Sequence, residues 1–377
     1  MQHAPGVFPL DEYPIHQIPA PIEWVGGDRN FYDRSYWNAL DHSGELMLIT
    51  GIGYYPNLGT KDAFLVLRRG AEQIALHFGD AIDSDRLNQH CGNYRLEVIE
   101  PLATSRLVIA ETDGIAVDMT WRASFPAIPE QRHVMRSGSH RTIIDAQRFA
   151  QVGTWEGTIS VDGTTYEVTP DRWTGTRDRS WGLRPIGEAE PAGRPADPSF
   201  GGMWWLYAPI AFEDFAVVII IQEDADGERS LNDCHRIWPD GRTEQLGWPL
   251  VRTRYHPGTR LPATGTLALR TRDGVEVRVE LESKLFLAIG VGGGYSPDPD
   301  WLHGQWHGEN FTERRDYDMS APEVVGRLPF GFTDNVGRAV WHEEGKEPQA
   351  GWGLYEHGVI GVHRPSGFTD FFGAAPE

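Results

Sequence analysis

Five Asp-Gly pairs punctuate the chain: Asp113-Gly114, Asp162-Gly163, Asp226-Gly227, Asp240-Gly241 and Asp273-Gly274. No other feature constrains the fold as strongly. Asp-Gly favours the left-handed backbone angles of the type I′ turn, whose twist matches that of the two strands it joins. The flanks agree. Thr158-Ile159-Ser160-Val161 enters the second turn and Thr165-Tyr166-Glu167-Val168 leaves it. Leu267-Ala268-Leu269-Arg270 and Val275-Glu276-Val277-Arg278-Val279 frame the last. Both pairs show the period of two expected of half-buried strands. Residues 46–55, 63–68, 73–78, 105–110 and 115–121 read as further strands. Helical periodicity is scarce: 30–40 reads as a short helix and 83–89 as a turn.

Many strands together with 43 Gly and 26 Pro predict an all-β protein of antiparallel barrels or sandwiches. The 377 residues exceed what one core supports, so two domains are expected. The segment Ile186 to Phe200, IGEAEPAGRPADPSF, is rich in Pro, Ala and Gly and poor in strand formers. It predicts an N-terminal domain over 1–187, a linker over 188–200 and a C-terminal domain over 201–377. Each half has the size and strand count of a lipocalin-like (calycin-like) barrel. Fourteen Trp point either to thick β cores or to a cavity with aromatic walls.

Lys and Arg total 34 against 54 Asp and Glu, a net charge of −20 that repels phosphate backbones and anionic lipid heads. Nucleic-acid partners are therefore not expected. No apolar run approaches the ~18 residues that span a bilayer, and the N-terminus has no secretory pattern. Cys91 and Cys234 stand far apart with no metal-ligand pattern beside them, as expected of reduced thiols in a cytoplasmic protein. Gly290 to Gly294 lacks the Lys-Ser/Thr of a phosphate loop, and no Gly-x-Ser-x-Gly elbow occurs.

Three stretches together resemble a known superfamily. They are Arg148-Phe149-Ala150-Gln151-Val152-Gly153, then 157–168, then Gly175-Thr176-Arg177-Asp178-Arg179-Ser180-Trp181-Gly182-Leu183-Arg184; a closing GWGLYEHGVIG spans 351–361. The pattern resembles the double-lipocalin superfamily of carotenoid 1,2-hydratases (hydroxyneurosporene synthases) and AttH-like proteins, with lipocalin-like Diels–Alderases more distant. The resemblance implies two lipocalin-like domains packed together, a ligand cavity in or between them, and acid/base chemistry without a cofactor. Asp178 and Trp181-Gly182 carry over. Thr176 and Arg179 stand where the carotenoid hydratases have Tyr and His, which leaves polyene, terpenoid, steroid and aromatic substrates open.

On a strand Asp178 points away from Arg177 and Arg179. In an apolar hollow its pKa rises, and a protonated acid there can protonate an alkene or a leaving oxygen. Structurally, it could equally lock a domain interface through an arginine. Glu356 and His357 are strand neighbours, so only one can face a cavity with Asp178. His303 and His307 have metal-ligand spacing only on a helix, which Gly304 and Gly308 oppose; no metal site is expected. A loop carrying Trp301, Trp306 and His307 is expected over the cavity mouth, with Tyr317 nearby. Trp181, Trp204, Trp205, Tyr207, Tyr55 and Arg177 are candidate substrate contacts, and core packing is the alternative for each aromatic.

The function expected is a cofactor-independent hydratase, dehydratase, lyase, isomerase or cyclase acting on a hydrophobic small molecule in a Trp-lined cavity. A non-catalytic carrier of such a molecule is the alternative. The two differ in the cavity wall: an enzyme needs several titratable groups there, a carrier an almost wholly apolar lining. Whether the chain forms a homodimer is left open.

Overall fold

The computed structural model describes residues 9–14, 25–136, 142–186, 201–295 and 298–376. The expected linker over 188–200 lies outside them. The fold is all-β and double-lipocalin-like. A fourteen-stranded sheet wraps into a half-barrel, and a ten-stranded sheet closes into a small barrel. The first runs from strand Phe31–Asp41 to Trp173–Leu183, the second from Gly202–Ala211 to Glu356–Gly361. One strand of the later half joins the first sheet: Phe311–Asp318 pairs along the edge of Glu72–Ala81. Among the described residues no helix is long and apolar enough to cross a membrane.

The Asp-Gly turns divide into two kinds. Asp113 and Gly114, and likewise Asp162 and Gly163, both take positive φ (46° and 82°; 51° and 80°), as type I′ requires. In the other three pairs only the glycine does. At Asp226-Gly227 the loop is longer, and the Asp224 carboxylate accepts the backbone N–H groups of Asp226 and Glu228.

The helix expected over 30–40 is instead the central strand Phe31–Asp41, flanked by Leu46–Tyr55 and Trp173–Leu183. Every residue from Tyr32 to Asp41 is buried. A strand covered on both faces shows no polar/apolar alternation to betray it. One face enters the half-barrel interior, where Trp37, Trp121, Trp155 and Trp173 pack together. The closed barrel is filled around Trp204 and Trp341. A third core lies between the sheets, with Tyr36, Met47 and Phe64 on one side and Trp205, Tyr207 and Ile220 on the other. Cys91 and Cys234 are both free and buried, which pushes both thiols up and makes them poor nucleophiles.

Candidate functional site

Strand alternation builds one wall of a cavity in the seam between the sheets. Tyr36 stands opposite Asp178, and Asp178 opposite Ala150; one step along, Arg34, Ser180 and Arg148 form the next row. All six side chains share a face. The opposing sheet contributes Trp205, Gln222, Asp334 and Glu356. The enclosed volume is about 210 Å³. A wider hollow of about 450 Å³, bordered by Leu302, His303 and Gly331, continues from it past Arg34, Arg184 and Tyr295.

Three carboxyl groups meet here. Burial pushes Asp178 up to about 6; Arg148 is the chief influence holding it down, with Arg34 and Arg184 assisting. The surface Asp178 retains faces the cavity. Burial lifts Asp334 to about 7, and the neighbouring Asp178 charge lifts it further while the Tyr36 hydroxyl, donated to Asp334 Oδ2, opposes this. Glu356 is pushed well above the usual carboxylate range, by burial first and then by Asp334. Its Oε1 accepts the Trp205 indole N–H at 2.7 Å. Arg148 pairs with Glu130 (2.5 Å), which also accepts the Tyr207 hydroxyl at 2.7 Å. Burial, reinforced by Arg148, drives His133 down to about 3, so its imidazole is neutral. Of the three, Glu356 is the carboxyl most strongly disposed to keep its proton and Asp178, beside three arginines, the one most favoured to give it up, the separation of acid from base that proton-transfer sites require.

Of the candidates from sequence, Asp178, Glu356 and Trp205 are on the cavity wall, and Tyr207 stands behind it through Glu130. The others are elsewhere. His357, one residue from Glu356, points into the closed barrel. Its Nδ1 lies 2.6 Å from the Trp205 carbonyl and its Nε2 3.2 Å from the Tyr255 hydroxyl. Burial drives it down to about 3, so it stays neutral. Trp204 shares that interior and donates to the Tyr255 hydroxyl at 3.2 Å. Arg177 points into the half-barrel, ion-paired with Glu12 and flanked by Trp37 and Trp121. Trp181 packs on Leu102, Ala127 and Phe149.

Tyr55 donates to Asp62 (3.1 Å) in a buried bond and Tyr317 to Asp300 (3.1 Å) in a half-buried one, both away from the seam cavity. Trp306 is 53% exposed. His307 stacks on Trp301 at 4.4 Å, and Trp301 in turn on His77 at 4.4 Å. The loop expected over the mouth thus packs mainly on the sheet edge and reaches the wider hollow only through Leu302 and His303. Positive φ at Gly304 (80°) and Gly308 (120°) keeps His303 and His307 off any common helix face. The hollow is not Trp-lined: Trp205 is the one indole on its wall among the described residues, because the barrels take up Trp37, Trp121, Trp155, Trp173, Trp204 and Trp341 while others, such as Trp248 and Trp306, are exposed.

Sequence reading missed Asp334, Arg34, Arg148 and Arg184 as site residues. Arg184 had a signal, since counting by twos from Asp178 reaches Ser180, Gly182 and then Arg184. Asp334 had none, because nothing local in Thr333-Asp334-Asn335-Val336 says which sheet will face it.

The arrangement, two curved antiparallel sheets with a polar cavity in their seam, is that of a double-lipocalin-like protein. The family of unknown function DUF8625 matches residues 7–369, and the chain belongs to it. No curated protein matches the sequence. Similar solved structures include kievitone hydratase from Nectria haematococca, 13% identical, covering 94% of this chain and 95% of that one, with a TM-score of 0.54. They also include a putative AttH from Nitrosomonas europaea, 12% identical over 87% and 92%, TM-score 0.50. CghA is 12% identical over 87% and 88%, TM-score 0.50. These likenesses establish the fold shared with AttH-like proteins; a specific kinship with carotenoid hydratases is not among them.

Proposed function

We propose that this protein is a cofactor-independent proton-transfer enzyme of the hydratase, dehydratase, isomerase or cyclase type, acting on a small molecule with an apolar body. The observation that carries the reading is the convergence of Asp178, Asp334 and Glu356, from two different sheets, on one enclosed cavity. Three buried carboxyls in one hollow are costly to stability, and a carrier has no use for them. In a hydration, Glu356 gives its proton to one alkene carbon while Asp178 takes a proton from the water that attacks the other. In a dehydration the same transfers run backwards: Glu356 takes the proton back as water leaves. Asp334, bridged to Tyr36, supplies a second exchangeable proton between them. Kievitone hydratase, by its name, adds water to its substrate, and its fold likeness is in keeping with this reading.

Native mass spectrometry of freshly purified protein, then extraction of any bound molecule, supplies a substrate candidate. Turnover is then followed in D2O, where a transferred proton leaves deuterium on carbon. Abolition of deuterium incorporation in both Asp178→Asn and Glu356→Gln is expected; incorporation at the wild-type rate in either would overturn the assignment.

A further inference from the structure

The geometry points to a substrate that carries an anionic group, held between Arg34 and Arg184 where the two hollows of the seam meet. This rests on the seam being the substrate site. Both arginines border both hollows. Arg34 is 3% exposed, yet among the described residues neither makes an ion pair or a side-chain hydrogen bond. Four other arginines of low exposure are matched, Arg148 by Glu130, Arg177 by Glu12, Arg179 by Asp33 and Arg236 by Glu343, whereas among the described residues Arg68 rests on the Phe286 ring and Arg260 on backbone carbonyls, neither of them beside a cavity.

What faces Arg34 and Arg184 instead is aromatic. Their guanidinium carbons lie 4.8 and 5.7 Å from the Tyr295 ring centroid, and 5.9 and 5.4 Å from that of Tyr32. Cation–π contact offsets only part of the cost of burying a charge. Among the described residues the other ionisable groups around the pair are Tyr55, Asp62, His133, His303 and Asp178, His133 being neutral. Asp62 is already engaged by the Tyr55 hydroxyl (3.1 Å) and the Gly304 N–H (2.7 Å). Burial drives His303 down to about 4, so it is neutral. Asp178 is the remaining anion, and its charge is neutralised each time it takes the proton of the attacking water. Among the described residues neither of the two adjacent guanidiniums is thus paired directly with a carboxylate, and a planar fork of donors suits a carboxylate, phosphate, sulfate or acidic enolate.

Position adds chemistry. Arg34 stands opposite Ser180, two residues from Asp178, a step of about 7 Å along the strand. An anion fixed at Arg34 therefore presents the atoms a few bonds away to the carboxyl cluster, which favours a compact molecule over a long polyene. The anion also offsets part of the positive field at Asp178, which strengthens it as the acceptor of water's proton.

The test needs no knowledge of the substrate. Isothermal titration of the full chain with 2-naphthoate and with its neutral counterpart 2-naphthamide compares one apolar body with and without charge. The carboxylate should bind at least about tenfold more tightly. Arg184→Gln, at the strand end, should erase most of that preference while leaving naphthamide binding unchanged; Arg34→Gln should do the same if it folds. Asp178→Asn should keep the preference, which separates this inference from the catalytic one. Naphthamide binding as tightly as naphthoate, no naphthoate binding, or an undiminished preference in Arg184→Gln would each overturn it.

Discussion

The strand Trp173–Leu183 has two faces, and they treat charge in opposite ways. On the half-barrel face Arg177 is held by Glu12, and Arg179 by Asp33 at 2.8 Å. On the seam face Asp178 has its pKa pushed up, and Arg184, just past the strand end, is paired with no carboxylate among the described residues. The same backbone carries both sets. A matched ion pair inside a barrel fixes the N-terminal segment to the sheet; a mismatched set across a cavity waits for an occupant. On this strand, the charge that lacks a partner is the charge that borders a cavity.

That contrast can be broken by experiment. The largest expected effect is at the seam: Asp178→Asn should lower turnover of an identified substrate by about 10²–10⁴-fold without lowering the melting temperature. Glu12→Gln, on the other face, should do the reverse. It leaves Arg177 buried and unpaired, at a cost of about 3–5 kcal/mol in urea unfolding, while the folded fraction keeps its turnover. A Glu12→Gln protein as stable as wild type would remove the distinction between the faces.

The pH dependence of stability sharpens it. Asp178 and Asp334 titrate higher in the folded state than in the unfolded chain, at about 6 and about 7. At these two positions the folded protein thus binds more protons than the unfolded chain across that window. Their own contribution to stability should fall as pH rises from about 4 to about 7, against the opposite trend set by the buried neutral His133, His303 and His357. Relative to wild type, Asp334→Asn should gain stability steadily over that window, by about 4 kcal/mol at most, and be the more stable at pH 8; a difference that does not change with pH would count against a buried acid at 334. The smallest effect is expected from Trp205→Phe. Losing the indole N–H removes a bond that favours the ionised Glu356, so the alkaline limb of the pH–rate profile should move upward by less than about one pH unit.

Local features of this fold were readable and paired features were not. Strand Leu46–Tyr55 and the hairpin of Thr142–Val161 with Thr164–Val168 follow from alternation and turn chemistry. Phe31–Asp41 defeated the same reading, because burial on both sides erases the period. The orientation of Asp178 followed from counting by twos. Which of Glu356 and His357 faces the seam did not, since alternation separates the two without saying which sheet lies on which side. The tryptophans misled for a related reason: a bulky indole fills a barrel as readily as it lines a pocket, and composition carries no address. Asp334 became visible only when two sheets met.

The strand Phe311–Asp318 gives the two halves a mutual dependence. It caps the outer edge of Glu72–Ala81 with a full ladder of backbone bonds, so the earlier half, produced alone, would present a bare row of amides and carbonyls to its neighbours in solution. Such a fragment is expected to self-associate edge to edge. The later half thus acts as a built-in guardian for its partner, and the pair is most naturally inherited, expressed and engineered as one piece.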